Sequence, residues 1–328
     1  GLSIPRRQPA TFRTMKRVML GLLVAFVYAC GGSEGPRSTT GSGGAQGSGE
    51  AASYARNFIL LSRQADAPVA AVLDFTADEN SDSIHRSAAA WLLTDGAWRR
   101  LLQASWQTEP VREPWRLVPH EELRLLVGDR GEIEALVHRA DSTGFRLVPS
   151  VAVAEWSAGD AAQFRLRRGE LRLQDRSIVG VLLDLQTGAR AAGAATADVA
   201  FLTDGEGAHL ILAENGTGSI SARLFRDAEE LVWEELKLTP LAAEVSPGAE
   251  GAVHEVADAE ARTAGHADGW RIAGTSDDFA GELRATGDSL DTPAAGAGAG
   301  VQTVVVDGWI EARGERRTVF GVVRRGRE

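Results

Sequence analysis

From about residue 54 onward the chain is a succession of short apolar runs separated by glycine and acidic turns. Alternation is plain in Phe164-Arg165-Leu166-Arg167 and again in Leu171-Arg172-Leu173, with Arg168-Gly169-Glu170 read as a turn between them. Period two then places the arginines on one face and Phe164, Leu166, Leu171 and Leu173 on the other. Hairpins are predicted across Val199–Leu212, around Asp204-Gly205-Glu206-Gly207, and at Asn215-Gly216 leading into Ser219–Phe225. Other strands are predicted at Phe58–Ser62, Val69–Thr76, Ala89–Leu93, Trp98–Trp106, Leu123–Val127, Ile133–His138 and Phe145–Glu155. The second half adds Leu231–Leu238, Gly269–Ala273, Phe279–Ala285, Val301–Ala312 and Arg317–Val323. Two alanine-rich stretches, Ser87–Leu93 and Ala252–Ala264, also read as helix, although the second lacks a sustained 3.6-residue stripe and suits a loop or short helix.

Many short strands with no helices alternating between them define an all-β chain of two antiparallel β-barrel or sandwich domains. The seam is expected near 156–162, where Ser157-Ala158-Gly159-Asp160 interrupts the strands. That gives a first β-domain over 53–158 and a second over 159–328. The halves echo each other weakly through the Trp-rich strands Trp98–Trp106 and Leu231–Leu238. Each half also has a Trp-Arg dipeptide before a strand, at Trp115-Arg116 and at Trp270-Arg271.

The N-terminal region has a different pattern. Met15-Lys16-Arg17 opens onto the apolar run Val18–Val27, followed by Tyr28-Ala29-Cys30-Gly31. A basic start, a short apolar run and a small residue before a break are the parts of a secretory signal, and the run is shorter than the roughly 20 residues a bilayer span needs. With the chain's single cysteine at the break, 15–30 resembles a bacterial lipoprotein signal. That resemblance implies acylation of Cys30, and Gly31 after it implies an outer-membrane destination in the cell envelope, facing the periplasm or the surface. Val27 and Tyr28 depart from the usual residues there, and ordinary cleavage with an incidental Cys30 is the alternative. Residues 1–14 then read as an over-extended start. Residues 31–52 hold almost no apolar side chains and read as a flexible Gly/Ser tether.

Composition narrows the function. The 328 residues carry a formal net charge of −10; residues 1–30 hold five basic groups and no acid, so the remainder stands at 30 basic against 45 acidic groups. Such a balance argues against nucleic acid as a partner and suits a body held off an anionic membrane surface. One cysteine excludes a disulfide framework and any site needing several thiolates.

The motifs that carry chemistry are missing or incomplete. None of the six histidines pairs with another at i, i+4, and HExxH does not occur. His254, Asp258, His266 and Asp268 share one segment that reads as a solvated loop before it reads as a metal site. Asp78–Asp82 imitates the start of a calcium loop, but Ser83 and Ala89 stand where glycine and glutamate are required. Gly296–Gly300 precedes a strand and so lacks the helix N-terminus that a phosphate loop uses. No nucleophile elbow is present in the folded part. No catalytic residue, metal ligand or cofactor is therefore assigned from the sequence. Eight tryptophans remain, read first as sheet core and second as the wall of an apolar pocket.

The order GELRLQDRSIVG (169–180), VAFLTDGEGAHLIL (199–212), SARLFRD with LVWEELKLTP (221–240), GWRIAG (269–274) and VVVDGWIEARG (304–314) resembles the tandem lipocalin-like superfamily. That superfamily includes the bacterial carotenoid hydratase hydroxyneurosporene synthase and the attachment-type proteins. The resemblance implies tandem lipocalin-like barrels, and it implies Asp175 near a barrel mouth. Where the family carries an Asp-His pair, this chain has Asp175-Arg176, and arginine cannot act as a base. Alternation then sends some of Trp233, Trp270 and Trp309 into the second barrel as walls of a ligand site. The leading expectation is a membrane-anchored, non-catalytic binding module for an apolar or amphiphilic small molecule. A structural lipoprotein with filled cores acting through a protein partner, and a hydratase- or isomerase-type enzyme using Asp175, are the alternatives.

If Cys30 is the anchor, Cys30→Ala releases the protein into the soluble fraction. A variant that stays on the membrane, with a wild-type chain carrying no acyl mass, contradicts the anchor.

Overall fold

The computed structural model describes residues 52–64, 67–128, 132–158, 162–191, 198–214, 219–227, 229–241, 269–275, 278–292 and 300–326. Cys30, the signal and tether segments, and the His254–Asp268 stretch lie outside the described residues, as does the Asn215-Gly216 turn. The described chain is all strand and turn. Nine strands form the first sheet: β1 Ala52–Gln64, β2 Ala67–Glu79, β3 Ile84–Thr94, β4 Ala97–Thr108, β5 Leu123–Val127, β6 Ile133–His138, β7 Phe145–Ala158, β8 Ala162–Leu173 and β9 Ser177–Ala191. Their order is β4-β3-β2-β1-β9-β8-β7-β6-β5, antiparallel throughout. The edge strands β4 and β5 do not pair with each other among the described residues, so this sheet is a half-barrel.

The second sheet holds β10 Val199–Thr203, β11 His209–Glu214, β12 Ile220–Arg226, β13 Glu229–Pro240, β14 Gly269–Ala273, β15 Phe279–Ala285, β16 Leu290–Thr292, β17 Val301–Ala312 and β18 Glu315–Gly326. Pairing of β15 with β17 closes eight of these into a barrel, with β16 laid on β17. Closure requires Gly308: a Cβ there would stand 2.0 Å from the Glu282 carbonyl oxygen. Two-residue turns at Asp95-Gly96 and Arg313-Gly314 have positive φ at both positions, the geometry whose twist matches that of paired strands.

Three apolar clusters account for the packing. The first lies within the half-barrel and draws on all nine of its strands, including Phe58, Leu73, Leu92, Phe145, Leu171 and Leu182. The second fills the closed barrel, with Leu202, Leu224, Trp233, Trp270, Phe279 and Val306. The third is a layer between the two sheets, in which Ile59, Leu61, Phe164, Leu166 and Leu183 meet Phe201, Ile211, Val305, Phe320 and Val322. Strands bordering that layer are buried on both faces. Period two sends Phe58 and Leu60 inward and Ile59 and Leu61 into the layer, so β1 reads as one apolar run instead of alternating.

Several expectations from sequence are corrected. Ser87–Leu93 is strand, within β3. Arg168-Gly169-Glu170 is not a turn: β8 runs unbroken through it, so Arg165 and Arg167 share a face with Leu171 and Leu173, opposite Phe164 and Leu166. Ser157 and Ala158 end β7, which pairs with β8 within one sheet, and the change of sheet comes only between Ala191 and Val199. A hairpin and an interdomain seam carry the same Gly/Asp punctuation, which is why sequence did not separate them. The paired Trp-Arg dipeptides occupy different settings, Trp270-Arg271 within β14 and Trp115-Arg116 in the loop after β4.

One ion pair crosses the layer. Arg324 of β18 donates to Asp74 of β2 at 2.8 Å, and Asn57 donates to the other Asp74 oxygen at 2.8 Å. Both charged side chains are almost wholly buried. Removing one partner of such a pair strands the other charge. Asp74→Ala is therefore expected to cost about 3–5 kcal/mol in denaturant unfolding, and the double variant Asp74→Leu/Arg324→Met to recover much of it. A loss below about 1 kcal/mol, the size of an exposed pair, would contradict the placement of this pair in the interior.

Candidate functional site

A cavity of 880 Å³ lies on the inner face of the half-barrel. Its floor follows from the inner register of three neighbouring strands. On β1 the inward positions run Tyr54, Arg56, Phe58, Leu60; on β8 they run Arg165, Arg167, Gly169, Leu171; on β9 they run Ile178, Leu182, Asp184, Gln186. Each strand is polar at one end and apolar at the other, and the ends coincide. The concave face thus has a charged half with Arg56, Arg165, Arg167, Asp184 and Gln186 beside an apolar half. Gly169 marks the border, where a Cβ would crowd Leu182 at 2.9 Å.

The charged half is wired around Asp184, which is 5% exposed. Arg56 grips it in a two-pronged contact at 2.8 and 2.7 Å, and Arg165 lies 3.8 Å from the same carboxylate. Arg165 also donates to Glu155 at 2.9 Å and to Gln163 at 3.0 Å. A carboxylate this deep is tolerable because its oxygens are met by charge-assisted bonds. Leu117, Leu125, Val127, Ile133 and Pro149 supply an apolar wall.

The loop between β4 and β5 closes the open side, contributing Glu113, Trp115, Arg116 and Leu117 to the lining. Arg86, inward-facing on β3 and 3% exposed, holds it: one guanidinium nitrogen donates to the carbonyls of Pro114 at 3.0 Å and Arg116 at 2.9 Å, and Nε donates to Thr108 at 3.1 Å. Burial presses the Arg86 pKa below the usual arginine value. Trp106 stacks on His120 at 4.5 Å and pins the far end of the loop. Trp115 remains 42% exposed over the cavity, 5.9 Å from the Tyr54 ring. Burial, and then Glu79, which accepts the Tyr54 hydroxyl, push that phenol above its ordinary pKa and keep it protonated.

The residues nominated from sequence do not assemble here. Trp233 and Trp270 do face into the closed barrel, but as filling: Trp233 packs 4.6 Å from Phe279 and donates its indole N–H to Asp278 at 3.1 Å, and Trp270 is 3% exposed. Trp309 points the other way, since its neighbour Ile310 occupies the barrel core, and its ring carries the Arg316 guanidinium at 3.9 Å. Asp175 is exposed on the turn between β8 and β9, in the other sheet from all three tryptophans. A recess of 110 Å³ at one end of the closed barrel is rimmed by ion pairs, among them Arg226 with Glu315 and Arg313 with Glu229.

The sequence reading did not nominate Arg56, Asp184 or Arg167. A charge set inside an otherwise apolar run, as in VLLDLQ (181–186), was the available signal. Among the described residues no cluster of His, Cys, Asp and Glu could hold a metal ion.

This is the all-β, tandem lipocalin-like fold, a half-barrel followed by a closed barrel. Solved structures that share it include the following two. Kievitone hydratase from Nectria haematococca is 12% identical with a TM-score of 0.51, the match covering 84% of this chain and 89% of that one. A putative AttH from Nitrosomonas europaea is 14% identical with a TM-score of 0.53, covering 84% of this chain and 92% of that one. No family model matches the chain, and no curated protein sequence does.

If Arg86 is the clamp on the loop, Arg86→Met speeds amide hydrogen exchange at residues 112–117 well above any change in β1 or β9. A uniform rise across the half-barrel would instead assign Arg86 to general stability.

Proposed function

We propose that the protein is a binding module for an apolar or amphiphilic small molecule, which it holds in the half-barrel and not in the closed barrel. The cavity carries this reading. Its 880 Å³ falls within the range of small-molecule sites, and its lining sets six apolar residues beside nine polar ones, eight of them charged, as an amphiphile would require. The closed barrel is packed with Trp233, Trp270 and Phe279, and the recess at its end measures 110 Å³. In this account the second barrel is a buttress that covers the outer face of β1, β2, β8 and β9. The lipoprotein features around Cys30 suggest that the module works tethered to a membrane of the bacterial envelope, where amphiphiles are at hand.

A hydratase-type activity is the second reading. It draws support from the shared fold with an enzyme named for hydration and from the carboxylates in the cavity. Adding water across a double bond requires a proton donor and a base poised at the substrate. Asp184 already spends both oxygens on Arg56 and Glu155 accepts from Arg165, while Asp175 is exposed on a turn outside the cavity lining. Binding is thus the better supported of the two.

A screen of amphiphiles tests the location. A ligand is expected to raise the melting temperature and to quench Trp115, since any ligand preferring the folded state stabilises it. Trp115→Ala should abolish most of the quench and weaken binding several-fold, whereas Trp233→Phe should leave affinity unchanged. Quenching that survives Trp115→Ala and disappears in Trp233→Phe would return the site to the closed barrel.

A further inference from the structure

The charge balance of the cavity specifies more than an amphiphile. Four arginines line it, and three are committed. Arg56 grips Asp184, Arg165 bridges Glu155 and Asp184, and Arg116 sits 3.4 Å from Glu113. Arg167 is the fourth. It is half-buried on the inner face of β8, opposite Leu182 of β9, and among the described residues its guanidinium has no hydrogen bond or ion pair. Of the lining carboxylates only Glu132 is likewise uncommitted, and it is exposed at the rim, where water solvates it. The uncompensated charge in the interior is therefore positive.

Its position adds a direction. Arg167 is the last charged inward residue of β8 before Gly169 and the apolar Leu171. A group docked on it from the cavity has the Arg56–Asp184–Arg165 network on one side and apolar surface on the other. A planar guanidinium with free donors is matched by a carboxylate, which accepts two parallel N–H bonds. A half-desolvated guanidinium without a partner is also a cost that such a ligand would remove.

We infer that the ligand of the half-barrel is an anionic amphiphile, a carboxylic acid with a hydrocarbon or aromatic body, whose carboxylate docks on Arg167 while its body lies along the apolar wall formed by Leu125 and Ile133. This rests on the cavity being the binding site, as proposed above, and gives that site its ligand class.

Decanoate and decan-1-ol, titrated calorimetrically into the full-length protein, separate the two ideas. Wild type should bind decanoate about tenfold or more tightly than decanol, the size of effect expected of a charge-assisted bond. Arg167→Gln should bind the two alike, with decanoate weakened to the level of the alcohol, and Arg167→Lys should regain part of the preference. Unchanged unfolding curves for both variants show that the loss is not one of fold. Equal affinity of wild type for acid and alcohol, or an Arg167→Gln variant that keeps the preference, overturns the anionic ligand while leaving the cavity as the site. Failure of both compounds to bind wild type overturns the cavity reading and this inference with it.

Discussion

The apolar layer shared by the two sheets is the constraint on which the rest of the structure depends. Strands β1, β2, β8 and β9 present one face to it and the other to the half-barrel interior, so they have no solvent face over most of their length. Any polar side chain on them must be answered from across the layer or opened onto a cavity. Asp74 takes the first course, meeting Arg324 from a strand 250 residues away in sequence. Asp184 takes the second, held by arginines on both neighbouring strands.

That division is a consequence of side-chain period alone. Once Leu183 and Leu185 are in the layer, Leu182, Asp184 and Gln186 must face inward. The same parity puts Arg56 of β1 and Arg165 and Arg167 of β8 beside them. The charged half of the cavity is thus fixed by the register that packs the two sheets together, not by a flexible loop. The loop from β4 to β5 supplies only the cover, and Arg86 ties it back to the sheet through two backbone carbonyls.

Much of the fold was legible in the sequence. The strands at Leu123–Val127, Ile133–His138 and Gly269–Ala273 match the structure to the residue, because each is short, bounded by turn residues and alternating or apolar throughout. The errors fall where both faces are buried. The 15-residue β9 was not recognised as a strand, since the apolar run Val181-Leu182-Leu183 leaves only Leu183-Asp184-Leu185-Gln186 to alternate. Arg168-Gly169-Glu170 looked like a turn because glycine between charges usually is one, yet this glycine makes room for Leu182 and Leu60 inside the half-barrel. Misplacing that one residue inverted the parity of β8, turned Arg165 and Arg167 outward on paper, and hid the site. In the second barrel, alternation correctly turned Trp233 and Trp270 inward, but an inward ring lines a pocket or fills it according to packing that no local pattern encodes. Of the three tryptophans offered for the inward face, Trp309 is the one that turns away, because its neighbour Ile310 takes the core position.

The picture that results is a half-barrel with a charged floor, an apolar wall and a clamped cover, braced by a second barrel filled with its own side chains. A crystal structure of the protein grown with a long-chain carboxylate tests this most directly. The account predicts ligand density within the half-barrel, with the carboxylate on Arg167 and the chain under Trp115. Density inside the closed barrel, with Trp233 or Trp270 displaced to admit it, would contradict the account.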